Sequence, residues 1–346
     1  MQSFHRTVVN VLISVFLVGV AGIFLYQSIN RPRILILHSY DAAYPWVRDV
    51  NIGLMRVLEK KGSYSLRWQY MDLKISPSPA SRRAAGITGR QIVDEWNPDV
   101  IIAIDDDAQD LVARYYVNHP TVKIVFAGLQ GSLIDYGYVG AENVTGILEE
   151  KPLKAFRTAL LDISKINNFR PVPRVLHIAD KSPSVVFNDK HIKQFEWGPL
   201  AQGDSILVDN YVDWQKKVGE AGQQADYIMV SNYRKLARSA TNPSLVPARE
   251  VMSWTEANAK IPVIGTNAFN VEDGGTLAIG GSPYEQGQVS ARMAVDIIDF
   301  NKKPKAIPIQ PTLQFVVAMR VEELKKKNIR LSPLYEAFAR GTNNSF

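Results

Sequence analysis

"ILILHSYDAAYPW", residues 34–46, is the stretch on which the fold turns. The apolar run Ile34 to Leu37 leads straight into His38, Ser39, Tyr40 and Asp41, and then into Tyr44 and Trp46. A short apolar run without alternation, bounded by polar residues, reads as a strand buried on both faces. Hydrogen-bonding and stacking groups packed directly after it either cap the next helix or form the wall of a binding site.

The neighbouring segments repeat this rhythm. Val47, Val50, Leu54, Val57 and Leu58 fall at helical spacing within residues 46–61. "LRWQYM" (66–71) alternates as a strand, and "SPSPASRR" (76–83) opens a helix running to about Trp96. "NPDVIIAI" (97–104) is a turn and a buried strand, residues 107–118 read as helical, and "VKIVFAG" (122–128) is another buried strand. Continuous apolar strands separated by helices imply a parallel sheet covered on both faces. The rhythm restarts in "NVTGILEEKP" (143–152) and continues through "PRVLHIAD" (173–180), "DSILVDN" (204–210), "ADYIMVSN" (225–232) and "KIPVIGTN" (260–267). Residues 284–300 are strongly amphipathic, and "PKAIPIQPTLQFVVAM" (304–319) is proline-rich before it becomes a strand. The expected class is α/β: two doubly wound parallel-sheet lobes joined by a hinge. The first lobe is expected over 31–146 plus about 280–302, and the second over 147–279 plus about 303–346.

A chain of 346 residues suits two domains. Its 46% hydrophobic and 21% charged content is that of a globular protein. The net charge of +6 is scattered, with short clusters such as "NKKPK" (301–305), and no basic stripe or recognition motif points to nucleic acid. With no cysteine, disulfides, thiol catalysis and cysteine-ligated zinc are excluded. Residues 7–26 carry no charge and follow Arg6. At 1.5 Å per residue they reach about 30 Å, enough to span a bilayer core. Residues 1–30 are expected to be an uncleaved N-terminal transmembrane helix or a cleaved signal. Either would place the remainder on the periplasmic side of a bacterial inner membrane.

In open parallel sheets, ligands sit beyond the carboxyl ends of the strands. The residues found there are Ser39, Tyr40 and Trp46; Asp105, Asp106 and Asp107; Gly128 and Gln130; Asp180 and Ser182; Ser231 and Asn232; and Thr266 and Asn267. Tyr44, Ser184 and Tyr233 lie beside them. Hydroxyls, amides, carboxylates and aromatics in this mixture suit a small polar ligand. Ser39 and Asp41 also fit a helix cap, and Asp105 to Asp107 also fit a helix N-terminus. Trp46 also fits helix packing. His38, His177 and His191 lack metal-ligand spacing, and no metal or cofactor is expected. No nucleotide loop and no serine-hydrolase elbow occurs. "IIAIDDDAQD" (101–110) resembles the nucleophile motif of haloacid-dehalogenase phosphatases, but Gln109 follows Ala108 where that family has threonine or valine.

Taken together, "ILILHSYDAAYPWVRDVNIGL", "PDVIIAIDDDAQDLV", "IVFAGLQG", "NVTGILEEKPLKAFRTAL" and "GGSPYEQGQVSARMAVDIIDFNKKPKAIPIQ" resemble the ABC-transporter substrate-binding proteins of the type I periplasmic fold. They resemble especially the branch that also serves as sensor ectodomain in bacterial signalling proteins. The resemblance spans about residues 33–330. It implies two lobes clamping a ligand, no catalysis, and a ligand-facing loop after the third strand, where Asp105 to Asp107 stand. Their charge suits an amino or guanidino group, and a polyhydroxyl ligand is equally compatible. The implied function is solute binding and delivery to an ABC permease. The alternatives are a ligand sensor working with a separate membrane signalling protein, and a phosphatase using the Asp105–Asp107 run.

Overall fold

The computed structural model describes residues 12–20, 22, 31–60, 64–170, 172–342 and 344–346. Residues 12–20 are helical. The span expected at 7–26 lies partly outside the described residues, at 7–11, 21 and 23–26. Among the described residues no helix is long and apolar enough to cross a membrane.

From Arg33 the chain lays down β1 (Arg33–His38), α1 (Pro45–Leu58), β2 (Ser65–Tyr70), α2 (Pro79–Trp96), β3 (Val100–Ile104), α3 (Asp106–Leu111), β4 (Lys123–Leu129) and β5 (Val144–Leu148). A second series follows: α4 (Leu153–Ile166), β6 (Arg174–Asp180), α5 (Pro183–Gln194), β7 (Ala201–Gln202), β8 (Ile206–Val208), α6 (Tyr211–Glu220) and β9 (Tyr227–Val230). It continues with β10 (Ala237–Ser239), β11 (Asn242–Leu245), α7 (Ala248–Asn258), β12 (Val263–Gly265), α8 (Phe269–Glu272) and β13 (Leu277–Gly281). The tail holds α9 (Pro283–Asp299), β14 (Gln310–Pro311), β15 (Phe315–Met319), α10 (Val321–Lys326) and α11 (Pro333–Gly341).

These strands form two large sheets, ordered β14-β5-β4-β3-β1-β2 and β15-β13-β12-β9-β6-β7, with β8 also on β6 and β10-β11 a separate ribbon. The first sheet is parallel throughout. In the second only the β13–β15 pairing is antiparallel. Alternating side chains serve opposite faces. Ile34 and Ile36 pack with α1 and α9, whereas Leu35 and Leu37 pack with residues of α2 and α3. In the second sheet Val175 and Met229 face α4, while Leu176, Ile178 and Ile228 face α6 and α7. Burial on both faces is why these strands read as unbroken apolar runs.

Serine followed by proline begins α2, α5, α9 and α11. Proline fixes φ for the first turn and lacks only an N–H that the turn could not use. Helices α1 and α9 pack so closely that a Cβ on Gly53 would strike the Tyr284 carbonyl and one on Gly287 the Val50 carbonyl. This contact anchors α9 to the first lobe, although the strand before it belongs to the second.

Three segments cross between the lobes: 149–152, Ser282 and 312–314. They are bonded to one another, Ser282 N donating to Gln314 O at 3.1 Å and Glu150 N to Thr312 Oγ1 at 3.2 Å, and residues beside them add further bonds. The Glu285 carboxylate accepts from Gln314 N at 2.8 Å, Gln286 Nε2 donates to Thr312 Oγ1 at 2.8 Å, and Thr312 Oγ1 donates to Leu148 O at 2.7 Å.

Several boundaries differ from the sequence reading. The last crossing comes after residue 311, not near 303, because β14 pairs with β5 and Thr145 Oγ1 donates to Ile307 O at 2.8 Å. Pro311 has no N–H for a central ladder and sits in an edge strand, where none is needed. The helix expected over 107–118 stops at Leu111, and a 3₁₀ turn over Ala113–Tyr116 follows. Of the 204–210 strand only Ile206–Val208 joins the sheet.

Candidate functional site

The carboxyl ends of both sheets face each other across a cleft. A narrow inner cavity of about 40 Å³ lies between them, lined by residues of both lobes. It has room for a few water-sized groups. An outer chamber of about 550 Å³ adjoins it and shares Tyr40, Lys74, Asp106 and Ser184 with it.

The first lobe supplies an aromatic wall. Tyr40 and Tyr44 meet edge to face at 5.6 Å, and Tyr44 lies 5.8 Å from Phe269 of the second lobe. The Lys74 ammonium sits 4.4 Å from the Tyr40 ring centroid, and the Arg234 guanidinium 5.1 Å from that of Tyr44 and 4.8 Å from that of Phe269. Burial raises both tyrosine hydroxyls well above their ordinary range, so they stay neutral. Trp46 is buried in this wall, and its Nε1 proton has no protein acceptor.

Asp105 is the most unusual residue of the cleft. Its φ of 65° and ψ of 167° fall in a region that glycine alone adopts without cost. Its backbone N–H donates to Ala127 O at 2.9 Å, and the adjacent Gly128, at φ 63°, leaves space for its carboxyl. Asp105 is 5% exposed, and its Oδ2 has no hydrogen-bond partner. Burial pushes its carboxyl well above the usual range, Glu149 raises it further, and Lys74 opposes the shift. An orphaned buried acceptor costs about 1–3 kcal/mol, which a ligand donor would recover.

The other two acidic residues have partners. Asp106 accepts from Gly131 N at 2.7 Å and Tyr136 Oη at 2.9 Å, and burial nonetheless lifts it to about 6. Asp107 pairs with Arg82 in the outer chamber. The run thus splits into three environments. Among the described residues no group of three or more His, Cys, Asp or Glu is placed to hold a metal.

The second lobe and the crossing segments supply amides, hydroxyls and one ion pair. Lys151 bonds Glu149 at 3.0 Å and Asn267 Oδ1 at 2.9 Å. Asn267 Nδ2 donates to Ser231 O at 2.9 Å, and Ser231 Oγ lies 2.9 Å from His177 Nε2. Asn232 lines the cavity while its Oδ1 accepts from Tyr233 N and Arg234 N. Across the cleft, Asn188 Nδ2 donates to Gln130 Oε1 at 2.8 Å. Arg48 Nη2 pairs with Glu272 at 3.0 Å, and Lys235 Nζ reaches Leu73 O at 3.4 Å.

Of the residues read from the strand ends, Tyr40, Tyr44, Trp46, Asp105, Asp106, Gln130, Ser184, Ser231, Asn232 and Asn267 line the inner cavity. The others do not. Ser39 is fully buried, donating to Ile104 O and accepting from Ala108 N at 2.8 Å each, so it caps α3. Asp180 staples two loops through Ser182 N, Ser182 Oγ and Lys235 N, leaving Ser182 at the outer chamber. Gly128 lies behind Asp105 and donates to Gln286 Oε1 at 2.7 Å. Thr266 is buried in the backbone ladder, its N–H on Val230 O. Lys74, Glu149, Lys151, Val185, Asn188 and Phe269 line the cavity although strand-end reading did not select them. Glu149 and Lys151 could have been found, since they flank the point where the sequence rhythm restarts.

The fold is thus two-lobed and α/β, with a polar cleft where the lobes meet. Residues 224–337 match the family model for ABC transporter substrate binding protein. A conserved domain protein from Vibrio cholerae superposes with a TM-score of 0.65 at 16% identity, over 89% of this chain and 98% of that one. A Streptococcus pneumonia ABC domain in complex with L-Trp gives 0.64 at 15% identity, over 88% and 98%. A ligand-free, open substrate-binding protein with adhesive properties from Clostridium difficile gives 0.60 at 16%, over 87% and 96%. No curated protein matches. The resemblance drawn from the sequence therefore holds: the fold is that of the type I substrate-binding proteins.

Proposed function

We propose that this chain is an extracytoplasmic solute-binding protein that closes its lobes on a small, amine-bearing ligand and delivers it to an ABC permease. The observation that carries the reading is Asp105, a buried carboxyl held in a strained backbone with one oxygen unpartnered, in a cavity walled by Tyr40, Tyr44 and Trp46. A protonated amine would satisfy that oxygen with a charge-assisted hydrogen bond and lie against aromatic faces. The Streptococcus relative was solved with L-Trp, a ligand that also carries an amine. Delivery to a permease is supported by the family match over 224–337.

The test is a thermal-unfolding screen of the full chain against amino acids, polyamines, sugars, purines and organic acids. An amine-bearing compound at about 100 times its Kd is expected to stabilise the fold by about 2.7 kcal/mol, a shift of a few degrees. The shift should vanish in Asp105→Asn. Stabilisation by a compound without an amine, undiminished in that variant, would sink the assignment.

A further inference from the structure

We propose that Ser231 turns its hydroxyl oxygen, and not its proton, towards the cleft, because a relay from Asp189 through His177 holds that proton on the side away from the ligand. The second lobe therefore asks the ligand for a hydrogen-bond donor, as Asp105 does from the first. This rests on the reading of the cleft as a solute site and names the chemistry of its second wall.

The relay is a line of three groups. Ser231 Oγ lies 2.9 Å from His177 Nε2, and His177 Nδ1 lies 3.2 Å from Asp189 Oδ1. Asp189 also pairs with Lys193 at 2.7 Å. These partners hold the Asp189 carboxyl below the usual carboxylate range, so at neutral pH it only accepts. His177 Nδ1 also lies 3.1 Å from Ser205 Oγ, but that hydroxyl can donate or accept whereas the carboxylate only accepts, so Asp189 decides and the ring nitrogen facing it carries the proton. Burial lowers the imidazole from its ordinary value and keeps it neutral, so Nε2 carries none. A bare Nε2 only accepts, and the group facing it is the Ser231 hydroxyl, which must donate. The lone pairs of Oγ are left for the cavity that Ser231 lines.

The other buried histidine shows the opposite arrangement. His38 Nε2 lies 2.7 Å from Asn51 Oδ1, and Asn51 Nδ2 donates to Tyr70 Oη at 3.2 Å. Its Nε2 therefore carries the proton, and its Nδ1 has no partner. A Ser–His–Asp line also activates nucleophiles in hydrolases. Here the neighbouring amide donor, Asn267 Nδ2, is spent on the Ser231 carbonyl at 2.9 Å. The oxygen is set to accept.

The test is nitrogen NMR of the full chain labelled at histidine. His177 is expected as the Nδ1–H tautomer with a pyridine-type Nε2, and His38 as the reverse. His177→Gln assigns the signal. Should that variant not fold, His5→Gln, His38→Gln, His119→Gln and His191→Gln assign it by exclusion. A proton on His177 Nε2 overturns the proposal. The tautomer is read on the free chain, so its failure is separable from failure of the ligand screen. Methylammonium chloride, as donor probe, is expected to move the Nε2 resonance. Tetramethylammonium chloride, of equal charge but without N–H, should not, and Ser231→Ala should abolish the response. An equal response to both salts, or none to methylammonium, overturns the proposal.

Discussion

The first lobe meets the cleft with Tyr40, Tyr44, Trp46 and Asp105, and two of these hold polar atoms with no partner. The second meets it with Ser231, Asn232 and Asn267, each already bonded to its surroundings. The strand order is shared, so the difference lies in the loops that follow the strands. Among the side chains that line the cavity, the unpartnered atoms and the strained backbone lie on the first lobe, although Arg234 Nε and Asn270 Nδ2 behind the second wall also have no partner, so the first wall has most to gain from a ligand. The second side is organised before any ligand arrives. On this view the first lobe captures, and the second closes over what is held. The hinge permits this because α9, which carries the crossing-segment partners Glu285 and Gln286, is packed against the capturing lobe.

The largest expected effect removes that packing. In Gly287→Val the new side chain would enter the Val50 backbone, and no rotamer avoids a clash at Cβ itself. Overpacking of this kind costs about 3 kcal/mol. The midpoint of urea unfolding should fall accordingly. A midpoint within error of the parent would show that the two helices can separate freely, and α9 would then not anchor the hinge.

Next come two carboxylates, one per lobe, with opposite pH signatures. Asp105→Gly should raise the stability of the ligand-free chain by about 1–3 kcal/mol, because glycine takes this backbone conformation freely. Asp105→Asn isolates the charge. The folded carboxyl binds its proton more tightly than the unfolded one, so the parent loses stability as pH rises from about 3.9 through the raised folded value. The gain in Asp105→Asn should be absent below that window and grow across it. Asp189→Asn should do the reverse. Its carboxyl is held low by His177 and Lys193, so the parent's advantage is present above about 3.9 and fades as pH falls towards the folded value. Urea midpoints measured from pH 3 to 8 check both. Parallel profiles for the two variants would end the contrast between the lobes.

The sheets were legible because their strands are buried on both faces, and runs such as Val100–Ile104 have no other reading. The strand ends were legible as a zone, because a parallel sheet dictates where its loops lie. Which side chain turns inward was not. Ser39 and Tyr40 are neighbours, yet one caps α3 and the other walls the cavity. That depends on where β3 places its carbonyl, a relation across 65 residues of chain. Asn188 and Phe269 were invisible for a related reason, since each reaches the cavity only when two lobes face each other. Asp180 looked like Asp105 in sequence. Its loop closes back on it through Ser182 and Lys235, and a carboxylate so occupied has little left for a ligand.

The smallest expected effect concerns closure itself. Gln130 Oε1 and Asn188 Nδ2, at 2.8 Å, join the lobes directly beside the cavity. Such a bond contributes about 1 kcal/mol net, so Gln130→Ala should lower the closed-to-open ratio by about fivefold. The chain has no cysteine, so spin labels can be placed uniquely at Arg83→Cys on α2 and Lys216→Cys on α6, both exposed. The distance distribution between them should gain a longer component in Gln130→Ala, and Asn188→Ala should reproduce it. The double variant should add little beyond either single one, because both remove the same bond. Additive shifts would mean that each side chain holds the closed form through a different partner. The latch would then lie in Arg48–Glu272 and the Tyr44–Phe269–Arg234 cluster instead.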